Sequence, residues 1–136
     1  AQVMADASYS EQHFGLTYIA TGEDTKGHYF QCSTSIPAGD EGPPMHKHAN
    51  ESEGFYVVAG ELVVEIDGRQ SILSEGDFVN VLPGQAHKWS NQTKKSTELI
   101  ITFSPAGIEN MFRELDEPDA DFVVVGKKFG MSIVEE

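Results

Sequence analysis

The chain has 136 residues, of which 39% are hydrophobic and 23% charged, a balance that suits a packed globular domain and excludes a disordered one. Nine basic residues against 22 acidic ones give a formal net charge of −13, which repels nucleic acid and anionic membrane surfaces and disfavours polyanionic substrates. The lone Cys32 excludes an intramolecular disulfide, and no apolar run approaches the length of a membrane span.

The N-terminus lacks the charged-then-apolar order of a signal peptide, so a soluble, cytoplasmic protein is expected. Ala1-Gln2-Val3 ahead of Met4 read as residues added before a native start. Short apolar runs then alternate with turn signals from about residue 15 to residue 103, which predicts an all-β sandwich or barrel. The first expected strand is 16–20, followed by a turn at Gly22-Glu23-Asp24. A second, 28–36, alternates in polarity; Cys32 is in phase with Phe30 and Ile36 there and reads as a small buried hydrophobe. Past the loop at Gly42-Pro43-Pro44, residues 45–48 are short and extended. Ala59-Gly60-Glu61 between strands 54–58 and 62–66 reads as a hairpin turn. Asp67-Gly68 turns into a strand at 70–73, and strands at 78–82, 87–91 and 98–103 follow.

The period changes in the tail. Ile108, Met111, Phe112 and Leu115 fall at i, i+3, i+4 and i+7. That stripe predicts a helix over about 105–115, with Ser104 as its N-cap and Pro105 at its first position. Residues 122–133 carry two signals. Phe122, Val125 and Phe129 mark a helical face, whereas Val123-Val124-Val125 favours a strand; the reading leans to a short helix ended by Gly130 that covers an open end or face of the barrel.

Residues 46–53 place two histidines and a carboxylate within eight positions. On a strand, His46 and His48 project to one side, and Met45 and Lys47 to the other. Glu53 is in phase with the apolar Phe55 and Val57. Glu51 shares that parity but lies nearer the turn, which makes Glu53 the stronger candidate. A third histidine, His87, follows the tight turn Pro83-Gly84-Gln85-Ala86 and shares its face with Trp89 and Asn91. An interior holding His46, His48, Glu53 and His87 is costly unless a cation pairs the carboxylate. Three imidazoles and one carboxylate suit a divalent transition metal. His13 and His28 read as surface or structural residues.

These spacings resemble the cupin superfamily. The first cupin motif is matched by His46-Lys47-His48, Glu53 and Gly60 within about 42–60, and its four-residue gap favours Glu53 over Glu51. The second is matched by Gly76, Gly84, His87 and Asn91 within about 76–91, with Leu82 where the motif has proline and Pro83 one place later. Gly22-Glu23-Asp24-Thr25, Pro37-Ala38-Gly39 and Ser104-Pro105-Ala106-Gly107 are similar to small bacterial cupins of the quercetin-dioxygenase-like group.

The resemblance implies a double-stranded β-helix, or jelly-roll, filling 1–136 as one domain with a short C-terminal helical segment. It implies one metal (Fe, Mn, Ni, Co, Cu or Zn) on His46, His48, Glu53 and His87, and a homodimer paired through a sheet edge or outer face. Tyr56, Val58, Val63 and Ile100 suit such a contact, and equally suit packing under the N-terminal strand or the C-terminal helix. The leading expectation is a metal-dependent dioxygenase of a small aromatic or enolic substrate, with Glu53 as general base. Phe55, Trp89, Ile101 and Phe103 share inward parity and would form its apolar wall. The alternatives are a metal-dependent isomerase or lyase, and a non-catalytic small-molecule-binding cupin. Lys47 and Lys88 lie at outward parity, which counts against a diphosphate substrate.

Overall fold

The computed structural model describes residues 11–136, so the reading of the first three residues lies outside it. In chain order the elements are β1 (Gln12–His13), β2 (Leu16–Ala20), α1 (Gly22–Thr25), β3 (Phe30–Ile36), β4 (His46–His48), β5 (Ser52–Ala59), β6 (Leu62–Ile66), β7 (Arg69–Leu73), β8 (Phe78–Val81), β9 (His87–Ser90), β10 (Thr97–Ser104), α2 (Glu109–Leu115), α3 (Phe122–Lys128) and β11 (Met131–Ile133). The strands form two antiparallel sheets, ordered β1-β2-β3-β10-β5-β8 and β11-β4-β9-β6-β7. This is the double-stranded β-helix. No helix among the described residues is long and apolar enough to cross a membrane.

Alternation builds the core. Along β10, Thr97, Leu99, Ile101 and Phe103 are buried while the residues between them are more exposed. Leu99, Ile101 and Phe103 join Phe30, Cys32, Phe55 and Val57 of the same sheet and Leu62 and Val64 of the other in one core. Each fully buried Phe or Leu there contributes about 1.5–3 kcal/mol of transfer free energy. Cys32 is fully buried, and that burial pushes its thiol up to about 12, so it behaves as a hydrophobe.

Three expectations are corrected. Ala59-Gly60-Glu61 does not close a hairpin: β5 pairs with β10 and β8, whereas β6 pairs with β7 and β9. The corner carries the chain between sheets because Thr97 occupies it. The Thr97 hydroxyl donates to the Glu61 carbonyl and accepts the Glu61 N–H, taking the groups a hairpin ladder would use. Gly60 sits at φ 90°, and a Cβ there would lie 2.7 Å from the Thr97 hydroxyl, so the corner needs glycine.

The first C-terminal helix starts at Glu109, not near Pro105. Ser104 cannot cap it, because Ser104 ends β10 opposite Ser52 and its hydroxyl donates to the His28 carbonyl. Glu109 supplies acceptors itself, taking the N–H groups of Gly22 and Gly107 on its carboxylate. The expected turn at 22–24 is likewise a one-turn helix, in which the Asp24 carboxylate accepts the Thr21 N–H.

Residues 122–133 contain both a helix and a strand. Asp121 caps α3 by accepting the Val124 N–H at 3.0 Å, and this fixes the valine run as helix against its β propensity. Phe122, Val125 and Phe129 pack on the core while Val123 and Val124 stay exposed. After Gly130 at φ 84°, β11 pairs with β4.

Candidate metal centre

The ring of histidines is assembled by ladder register. His46 on β4 lies directly opposite His87 on β9, and His48 sits two residues along on the same side. Glu53 comes from the other sheet, where β5 places it between Phe103 on β10 and Val81 on β8. One ligand-capable atom from each of the four lies within 4.8 Å of the others, and all four residues are buried. Among the described residues this is the one such group of three or more His, Cys, Asp or Glu side chains.

Backbone acceptors aim two of the rings. His46 Nδ1 donates to the Pro44 carbonyl at 2.9 Å, and His87 Nδ1 to the Gln85 carbonyl at 3.0 Å. Each bond holds the tautomer that leaves Nε2 toward the centre. The turn ahead of His87 is held in turn by Asp67, which accepts the Ala86 N–H and the Gln85 side-chain amide. Gly84 N–H donates to the His48 carbonyl at 2.8 Å and so ties this turn to β4. The displaced proline disturbs none of these bonds; Leu82, in its place, is exposed and gives its N–H to Gln85 Oε1. Asn91 lies outside the ring. Its amide donates to the carbonyls of Ile36, Pro37 and Lys95, pinning the loop beside β3.

Electrostatics favour a charged carboxylate at Glu53. Burial alone would push the Glu53 carboxyl up. Hydrogen bonds and charge from His48 and His87, with Nε2 atoms 3.2 and 3.1 Å from Glu53 Oε1, outweigh it and hold the carboxyl at about 2. Burial, reinforced by His87, lowers His46 to about 4. Burial also acts to lower His87, but the Glu53 carboxylate prevails and raises it. No Lys or Arg pairs with Glu53 among the described residues' ion pairs, so its charge is balanced by imidazoles alone. A divalent cation bound by borderline nitrogen donors and one hard oxygen fits this set.

A cavity of about 530 Å³ opens onto the ring, with His46, His48 and Glu53 among its lining residues. Trp89, Ile101 and Phe103 line it too. Phe55 does not: it is fully buried in the core, with its ring 6.4 Å from that of His87. A hollow of about 680 Å³ elsewhere, lined by Glu41, Glu65, Lys88 and Glu136, contains none of the four clustered residues.

The rest of the wall comes from β3, the loop after it and the two ends of the described chain. Phe14, Met111, Phe112, Phe122 and Met131 all line the cavity, and none was singled out for it from the sequence. For Met111 and Phe112 the available signal was the helical stripe; for Phe14 there was only its place before Gly15 in a turn. Phe14 sits at φ 54°, in the region that favours glycine. Its N–H donates to Asp116 Oδ1 at 2.8 Å, and its ring stacks 6.2 and 6.3 Å from those of Phe112 and Phe122. His13 places its two ring nitrogens 2.7 Å from carboxylate oxygens of Asp116 and Glu11, and Arg113 grips Glu11 through two nitrogens.

Residues 33–103 match the model of the family described as "Cupin domain". The chain is 28% identical over 100 residues to quercetin 2,3-dioxygenase of Bacillus subtilis, covering 74% of this chain and 29% of that protein. It is 36% identical over 64 residues to an oxidoreductase of Arthrobotrys oligospora, covering 46% and 25%. The chain thus spans under a third of the length of these relatives. Among solved structures, an RmlC-like cupin from Shewanella frigidimarina superposes with a TM-score of 0.62 at 26% identity, over 81% of this chain and 96% of that one. A double-stranded β-helix protein from Klebsiella pneumoniae superposes over 100% and 99% with a TM-score of 0.64; at 14% identity that likeness concerns the fold alone.

Proposed function

As this chain belongs to the cupin-domain family, we propose that His46, His48, Glu53 and His87 hold one divalent first-row transition metal, and that the protein is a metal-dependent oxygenase of a small aromatic or enolic molecule. The observation that carries this reading is the set of four donors within 4.8 Å of one another, three of them lining an apolar cavity large enough for a small organic ligand. The similarity to a dioxygenase and an oxidoreductase favours oxidative chemistry over the isomerase and pure-binding alternatives. A bound metal supplies Lewis acidity and a template for an anionic oxygen.

The chain's own residues do the rest. Glu53, held anionic, would accept the proton of a substrate hydroxyl once its carboxylate loosens from the metal. Trp89, Ile101 and Phe103 present apolar surface to a flat substrate and keep water from the reacting face. Phe112 and Phe122 extend that apolar lining, Phe112 with its ring 5.9 Å from that of Phe103. A homodimer is part of the same proposal. Tyr56, Val58 and Phe78 are exposed, with Tyr56 and Phe78 paired across β5 and β8, and they form an apolar row at the edge of the larger sheet. Phe78→Asp should then convert a dimer to a monomer in light scattering; a wild-type monomer removes this part.

The deciding experiment is metal analysis of protein from unsupplemented cells, followed by oxygen electrode assays with flavonols, diketones and catechols. Metal near one equivalent and oxygen uptake matching substrate loss are expected. Substrate conversion without oxygen uptake would move the reading to an isomerase or lyase, and binding without conversion to a ligand-binding cupin.

A further inference from the structure

Three buried side-chain nitrogen or oxygen atoms among the described residues have no hydrogen-bond partner: His48 Nδ1, Glu51 Oε1 and Glu114 Oε2. Two of them belong to residues three apart: His48 ends β4 and Glu51 lies in the link to β5. The other two ring histidines have their Nδ1 atoms fixed by the carbonyl two residues upstream, Pro44 for His46 and Gln85 for His87. His48 cannot copy that arrangement. Its upstream residue is His46, which lies inside a strand paired to β11 on one side and β9 on the other. The back of the His48 ring therefore needs a side-chain acceptor.

Glu51 is the residue placed to be one. It is 6% exposed and shares the inward parity of Glu53. His48 lines the cavity and Glu51 does not, so the Glu51 carboxylate stands apart from the ligand side. We propose that Glu51 is a positioning residue: its carboxylate Oε1 and His48 Nδ1, each without a partner in this structure, pair through a turn of the Glu51 side chain, so that Glu51 accepts the His48 Nδ1–H and fixes that ring with its Nε2 facing the other three donors. Glu51 thereby does for His48 what the two backbone carbonyls do for His46 and His87. The inference rests on the reading of the four-residue ring as a metal site, in which such outer partners set ligand orientation and basicity.

The test uses the whole chain, wild type and with Glu51→Ala and Glu51→Gln. In metal-free protein, ¹⁵N spectra of the histidine rings should show His48 Nδ1 protonated and slow to exchange with solvent. Glu51→Ala should speed that exchange, and Glu51→Gln, whose amide oxygen still accepts, should largely restore it. In chelator competition with Zn²⁺, Glu51→Ala should weaken binding by about tenfold or more while Glu51→Gln stays closer to wild type. An unprotonated His48 Nδ1 in the wild type overturns the proposal without any variant. So does a Glu51→Ala protein with wild-type exchange and wild-type Zn²⁺ affinity. A wild-type chain that binds no Zn²⁺ defeats the metal reading instead, and the metal-free ring spectra still decide the Glu51–His48 pairing.

Discussion

The ring of ligand-type side chains and the cap over its cavity are built by different rules. The ring stands on paired strands: His46 faces His87 by register, and backbone carbonyls aim both rings. The cap is held by side chains from distant parts of the chain: Arg113 on Glu11, His13 between Glu11 and Asp116, and Phe14 between Phe112 and Phe122. Rigid ladders suit groups that must meet within fractions of an ångström, whereas side-chain latches suit a wall that selects what enters. If that division holds, changes in the ring should abolish chemistry and spare the cap, and changes in the cap should alter ligand preference and spare the metal.

The largest effect is expected at Glu53. Glu53→Gln keeps the shape and an oxygen donor but removes the charge and the proton acceptor. Turnover should fall by about a hundredfold or more, with some metal retained. Steady-state oxygen uptake beside metal analysis of the same sample reads both. Wild-type turnover in this variant would take Glu53 out of the mechanism. Next comes His48→Ala, which should lower bound metal several-fold while circular dichroism shows the fold intact. A full equivalent of metal in that protein would reject His48 as a ligand.

The same division explains what could be read in advance. Period-two alternation on β10 and the spacing of His46, His48, Glu53 and His87 are local facts, and strand geometry converts them directly into facing side chains. The Gly60 corner misled because its turn chemistry is that of a hairpin. Only Thr97, 36 residues away in β10, turns it into a passage between sheets. The Ser104 cap misled because β10 claims that residue first. Phe14 was invisible for a similar reason: what puts it in the cavity is a hydrogen bond to Asp116, 102 residues later. Phe55 shows the converse. Its inward parity was legible, but parity does not separate core from cavity wall, and it lies in the core.

Acidification should weaken the ring in a defined direction. A metal can take His87 Nε2 only after its proton leaves, and the Glu53 carboxylate holds that proton above the usual histidine value of 6.5. Below the raised value binding displaces the His87 proton, so His87 alone should lower affinity by about tenfold per pH unit on acidification; above it this contribution vanishes. His46, at about 4, and Glu53, at about 2, are already deprotonated between pH 5 and 7 and add no slope there. Co²⁺ competition titrations across that interval measure it. An affinity independent of pH from 5 to 7 would mean that His87 is not among the ligands.

The smallest effect is the one that tests the cap. Phe14→Gly relieves a backbone conformation that costs a non-glycine residue about 1–2 kcal/mol. It also removes two stacked-ring contacts, each contributing about 0.5–1.5 kcal/mol beyond burial. With the lost burial of a half-buried ring added, the losses outweigh the gain, so the melting temperature should fall modestly. Metal content and azide binding at the metal should be unchanged, because Phe14 is not one of the four clustered residues and its backbone N–H bonds to Asp116. A flat aromatic ligand, which needs the wall, should bind several-fold more weakly, as isothermal titration of the metal-loaded protein with a flavonol would show. If instead azide and flavonol affinities move together, the cap and the ring are mechanically one unit; if neither moves, Phe14 closes the barrel and selects nothing.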